Sequence, residues 1–253
     1  MCEKVFSYWA EFFHPRTHLL SFGPRKLLGT SLTSFVGFYN VVYSPVSAKS
    51  CSHLKEMNPG AESGTYIIDP DGHGTLIPFN VTCNMTDKNG VGVTVISHDS
   101  ENRTLVDGCE TRGCYSRGIS YTGVTLSQLA SLTDVSSHCE QFIKYECFHS
   151  MLMFGWWVSR DSKIMFFWGG KHDSTICACD RNNFCVGGQR CNCDENDEEW
   201  REDSGLLTDK STLPVRELKF GDVGFTWRID EKGYHTLGKF KCYGLGDDKI
   251  GST

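Results

Sequence analysis

Twelve of the chain's thirteen cysteines fall between Cys51 and Cys242, and only Cys2 lies in the first fifty of its 253 residues. The twelve are Cys51, Cys83, Cys109, Cys114, Cys139, Cys147, Cys177, Cys179, Cys185, Cys191, Cys193 and Cys242. Thiols at that density are a liability in a reducing cytosol and a covalent framework in an oxidising compartment. Their number is even, so six bridges can close with no thiol left over. The expected address is therefore outside the cell.

The N-terminus points to the same address. Arg16, Arg25 and Lys26 precede an uncharged run from Leu27 to Ala48, which ends in Val46-Ser47-Ala48. A positive flank, an apolar centre and small residues at the exit are the parts of a secretory signal. Residues 1–48 are read as a signal peptide, with an uncleaved signal-anchor as the rival, since about 20 uncharged residues suffice to span a bilayer. A buried core segment is a third reading. The first two leave the cysteines on the same, outer side.

Cleavage after Ala48 leaves residues 49–253, room for one domain with a substantial core, here 51–244. Those residues hold 29 acidic and 21 basic side chains, a net charge of −8. Such a surface repels nucleic acid, whose binders need a basic stripe. Three sequons, at Asn80, Asn84 and Asn102, make these asparagines candidates for N-glycosylation.

Gly and Asp/Asn turns punctuate the chain, among them Asp69-Pro70-Asp71-Gly72 and Gly169-Gly170. Between such turns lie β-type runs at Thr65–Ile68, Val91–Ser97, Met165–Trp168 and Phe225–Ile229. Thr125 opens a helical pattern with Leu126, Leu129 and Leu132 on one face, and Val135–Tyr145 is a second helix candidate. The expected class is α+β, mostly β, loop-rich and disulfide-rich, with each bridge contributing typically ~2–4 kcal/mol.

The motifs in order are Cys51-Ser-His-Leu54, Ser63-Gly64-Thr65-Tyr66 with its Asp69-Pro70-Asp71-Gly72 turn, and Pro78-Phe79-Asn80-Val81-Thr82-Cys83. They resemble the opening of fibrinogen-related domains. His138-Cys139-Glu140-Gln141, Trp156-Trp157, Trp168-Gly169-Gly170, Cys177-Ala-Cys179, Cys191-Asn-Cys193-Asp194, Trp200-Arg-Glu-Asp203-Ser-Gly205 and Leu213-Pro214-Val215 extend the match. Together they are similar to the fibrinogen-like module of contactin-associated, neurexin-like adhesion proteins. The resemblance implies an extracellular, non-enzymatic recognition module, and it implies that Cys51 pairs with Cys83 across two strands returning from the Gly72 turn. The other pairings stay open, with Cys-x-Cys neighbours expected to take different partners.

Chemical alternatives have less in their favour. Cys177-x-Cys179 lacks the usual zinc spacing, so no metal site is expected there. The acidic run Asp194–Asp203 lacks the order of an EF-hand and reads as a solvated loop, with weak calcium affinity as the rival. No HExxH or Gly-x-Ser-x-Gly motif exists, and no cofactor is expected. Phe154-Gly155-Trp156-Trp157 and Phe166-Phe167-Trp168 are read as core, with stacking on sugars or anchoring of a protein partner as the rival. Three functions fit: a secreted or surface adhesion module for a protein or glycan ligand, an acidic component of an extracellular, mineralising matrix, and a defence lectin. A membrane enters only through the anchor reading, and no nucleic acid is expected.

Overall fold

The computed structural model describes residues 47–169, 176–224 and 230–246. The leader segment, the Phe225–Ile229 run and Gly170 lie outside the described residues, apart from Ser47 and Ala48 at the leader's end. Ser50 starts the first element by accepting the His53 N–H on its hydroxyl, 3.2 Å away. The helix it caps, α1 (Cys51–Met57), precedes β1 (Gly64–Ile68), β2 (Phe79–Asn84), β3 (Val93–Ile96), β4 (Thr104–Val106) and β5 (Tyr115–Gly118). Then come α2 (Leu126–Asp134), β6 (Ser136–Phe148), β7 (Trp156–Val158), β8 (Ile164–Met165), β9 (Arg201–Leu207), β10 (Glu217–Phe220), β11 (Lys232–Leu237) and β12 (Phe240–Leu245). The molecule is mostly β, loop-rich and held by six disulfides.

Two sheets share the strands. The larger runs β1-β2-β3-β12-β6-β11-β4, with β9 also on β6, and the smaller runs β5-β10-β7-β8. The strand β6 is the spine of the larger sheet. It pairs with β9 along Gln141–Cys147, while β11 and β12 follow one another beside it, with Leu237 opposite Ile143 and Lys241 opposite Glu140. At the junction the Gly238 N–H donates to the Phe142 carbonyl, 2.8 Å.

Here the sequence reading needs correction. Val135–Tyr145 is not a helix, because Ser136–Phe148 is strand from end to end. From Gln141 onward its residues alternate between buried and more exposed, a two-residue period that only a strand can place against a core. Met165–Trp168 is strand only at its first residue. Cys51 sits on α1, so its bridge to Cys83 joins a helix to β2 and does not close a hairpin. The expected helix at Thr125 is present as α2. The Thr125 hydroxyl accepts the Gln128 N–H while the Gln128 side-chain oxygen accepts the Thr125 N–H, a complete capping box.

The core lies where the sheets meet. Tyr145 of β6 stacks on Phe220 of β10 with ring centres 4.6 Å apart, and Trp168 and His235 pack on the same Phe220 ring. Gln141 is fully buried yet satisfied. Its amide donates to the Gly238 carbonyl and its oxygen accepts the Val215 N–H, each at 3.0 Å. Gly169, at φ +77°, lies flat against Gly205 of β9, and a Cβ on Gly205 would strike the Gly169 backbone. The Trp-Gly169 and Ser-Gly205 motifs thus meet in space.

Candidate functional site

The remaining five bridges are Cys109–Cys114, Cys139–Cys242, Cys147–Cys193, Cys177–Cys191 and Cys179–Cys185. In each Cys-x-Cys pair the two sulfurs take different partners. Cys147 projects from β6 and Cys193 from the turn Asn192–Glu195, so the cysteine-rich segment is stapled beneath the larger sheet.

That stapling changes the meaning of the acidic run. Asp203 is buried, and its carboxylate accepts the N–H groups of Asn192 (2.9 Å) and Cys193 (2.8 Å). Burial pushes its carboxyl up to about 6 against the two N–H donors, which favour the ionised form. Asp194 accepts the Met153 N–H, and Asp197 is paired with Arg201. From Arg201 onward the run is strand β9 and not a loop. Three of the seven carboxylates therefore organise the fold.

A different set of carboxylates converges elsewhere. Oxygens of Glu110, Asp222 and Glu231 lie within 4.8 Å of one another, a donor set with the chemistry of a hard-cation site. Burial and the neighbouring Glu110 and Asp222 charges push Glu231 up to about 7. These residues are far apart in sequence, and no motif links them.

The aromatic residues divide between the core and the surface. Trp157, Phe167 and Trp168 are buried, and the Trp157 indole N–H donates to the Phe167 carbonyl. Phe166 is 46% exposed and Trp156 half-buried, which corrects the reading of the whole cluster as core. The Arg112 guanidinium lies over both rings, 5.8 Å from Trp156 and 5.4 Å from Phe166. For Trp156 and Trp157, neighbours on β7, strand alternation is the physical cause, since it sends them to opposite faces.

Strand alternation also sets the solvent face of the larger sheet. The inward side chains of β6 make the core, and the outward ones meet those of β9, β11 and β4 on the solvent face. Glu202, Glu146, Tyr234 and Leu105 form one row across four strands. Trp200, 52% exposed, lies 5.6 Å from Phe148 and 5.9 Å from Tyr234, ring centre to ring centre. The Arg103 guanidinium covers Tyr234 at 3.3 Å and is paired with Glu146 at 2.9 Å. Phe142 and Leu206 stand opposite each other in the register, and both are exposed. Lys144 joins Glu146 and Glu202. Burial would raise the Glu146 carboxyl, but the Arg103 and Lys144 partners outweigh it and hold it below the usual range. Trp, Tyr and Arg, here gathered on one solvent face among charged pairs, are the residue types enriched in interface hot spots. The sequence reading quoted Trp200 only as part of a motif and did not find this face.

The sequon asparagines differ in their position relative to that surface, Asn102 being the chain neighbour of Arg103, which covers Tyr234. Asn80 is exposed on β2, and Asn102 is exposed just before β4. Asn84 is half-buried, its oxygen accepting the Thr86 and Asp87 N–H groups, each at 3.0 Å. No helix among the described residues is long and apolar enough to cross a membrane.

The described residues thus form a two-sheet, disulfide-stapled module with aromatic side chains on one sheet face. The chain belongs to the family described as the fibrillar collagen C-terminal domain, which it matches over residues 43–228. It is 37% identical over 209 residues to Neurexin-4 of Drosophila melanogaster, covering 77% of this chain and 16% of that protein. It is 33% identical over 222 residues to Contactin-associated protein 1 of Mus musculus, covering 84% of this chain and 15% of that protein. The resemblance to the contactin-associated and neurexin-like module holds, although the matching family carries a collagen name and not a fibrinogen one. The chain spans about one sixth of these relatives' length.

Proposed function

We propose that the chain is an extracellular, non-enzymatic adhesion module that binds a protein partner through the solvent face of its larger sheet. The observation that carries this is the Trp200–Phe148–Tyr234 cluster, Trp200 exposed and the other two rings half-buried, with Arg103 laid over Tyr234 at one end of a four-strand surface. Relatives of this sequence support it, one of them being named for association with contactin. The outer address is supported by the six bridges, which belong to oxidising compartments. Glycans on Asn80 and Asn102 fit the outer address, both residues being exposed.

The test is binding of the purified chain to immobilised contactin and, in parallel, to a glycan array. Protein binding that falls about thirtyfold in Trp200→Ala, the loss of roughly 2 kcal/mol typical of a hot spot, supports the reading. Binding that leaves this variant unaffected overturns the choice of face. Array binding with none to protein turns the reading to the lectin. The matrix alternative rests on the Glu110, Asp222 and Glu231 set more than on the acidic run, and calorimetric calcium titration of Glu231→Gln tests it.

A further inference from the structure

Five of the six bridges are shielded. Of their ten cysteines, nine are buried and Cys179 is half-buried. The sixth differs, with Cys114 exposed and Cys109 half-buried. It also closes the shortest loop, with a separation of 5 residues, against 103 for Cys139–Cys242 and 46 for Cys147–Cys193. A bridge over so short a loop removes little conformational freedom from the unfolded chain, so opening it leaves the global fold standing.

We propose that the Cys109–Cys114 bridge is a thiol-exchange site, opened on the folded domain by an extracellular dithiol reductant that attacks at Cys114. The attacking thiolate bonds to the exposed Cys114 sulfur, the Cys114–Cys109 bond breaks, and its electron pair leaves on Cys109, which takes a proton from water. The reductant's second thiolate then attacks its own sulfur in the mixed disulfide. Cys114 is released as a thiolate and protonated, and the reductant leaves as a disulfide. Two electrons and two protons pass from the dithiol to the bridge.

The loop gives the exchange a consequence. It carries Glu110, one of the three converging carboxylates, and Arg112, which covers Trp156 and Phe166. With the bridge intact, those side chains are presented by a closed ring of chain. With it open, the loop keeps its non-covalent contacts, among them Gly113 N–H to the Phe154 carbonyl (3.0 Å) and Val223 N–H to the Cys109 carbonyl (3.1 Å), and loses its covalent closure. The bridge therefore couples the redox state of the surroundings to two surface features at once. This inference does not depend on which ligand the sheet face takes.

The experiment is dithiothreitol titration of the native chain, after any thiol free beforehand has been blocked with N-ethylmaleimide. Newly freed thiols are then trapped with iodoacetamide and mapped by mass spectrometry. Cys109 and Cys114 are expected to be labelled together, at least tenfold sooner than any other pair. A second readout is tryptophan emission, which shifts as Arg112 loosens from Trp156 and does so at the same dithiol concentration. In the double variant Cys109→Ser, Cys114→Ser that shift is absent. Simultaneous labelling of all twelve cysteines, earlier opening of another bridge, or an undiminished shift in the double variant overturns the proposal.

Discussion

His235 is buried to 0% exposure, and only its Nε2 has a partner, the Tyr115 hydroxyl at 3.1 Å. Its Nδ1 has none. Burial first, and then the positive charge of Arg117, push its pKa down to about 4 from the ordinary 6.5. The unfolded chain thus binds a proton between these values that the folded chain refuses, and stability falls as pH drops from 6.5 towards 4. The loss attributable to this one residue is on the order of 3 kcal/mol by pH 4. Asp203 works the other way, since its raised pKa favours the folded state on acidification from about 6. Urea unfolding at a series of pH values separates the two. In His235→Phe the acid-side loss is expected to shrink by roughly that amount, whereas an unchanged slope would mean that His235 is protonated without penalty.

Among the elements, α2 and β6 follow one another and show opposite legibility. The Thr125-x-x-Gln128 box is a local device whose partners are three residues apart, so it can be read directly from the chain. Removing it in Thr125→Ala is expected to cost about 1 kcal/mol, measured as a lower urea midpoint at unchanged slope. Ser136–Phe148 carries no comparable local mark. Its apolar residues Phe142, Ile143 and Tyr145 fit a helical stripe as well as a strand, and Cys139 looks like an interruption. The choice is made by partners far along the chain. β9 lies on one side of it and β11 with β12 on the other, satisfying its backbone groups from both flanks. The Trp200–Tyr234 face is not legible in the sequence for the same reason, because its members come from four strands and the segments before β9 and β4.

Across the whole molecule the bridges divide by the length of chain they enclose. Cys139 and Cys242 face each other in the β6–β12 register and enclose 103 residues. Replacing both by alanine is expected to cost about 2–5 kcal/mol, checked by calorimetry or urea unfolding with the other five bridges intact. A smaller cost is expected for the Cys109–Cys114 pair, whose sequence separation is 5. Equal costs for the two pairs would show that loop closure is not what these bridges contribute.

The cysteine count by itself carried the expectation of an outer address and determined the dependence on bridges, because thiol chemistry follows composition and compartment. The ordered motifs determined the family resemblance, and turn and capping residues determined α2 and the β1–β2 turn, since those signals act over a few residues. Connectivity beyond the first bridge was decided only by the tertiary structure. So were the strand identity of β6, the internal use of the acidic run and the aromatic face. Each depends on residues tens of positions apart arriving side by side, and the pairing of strands supplies that distance information where the linear order does not.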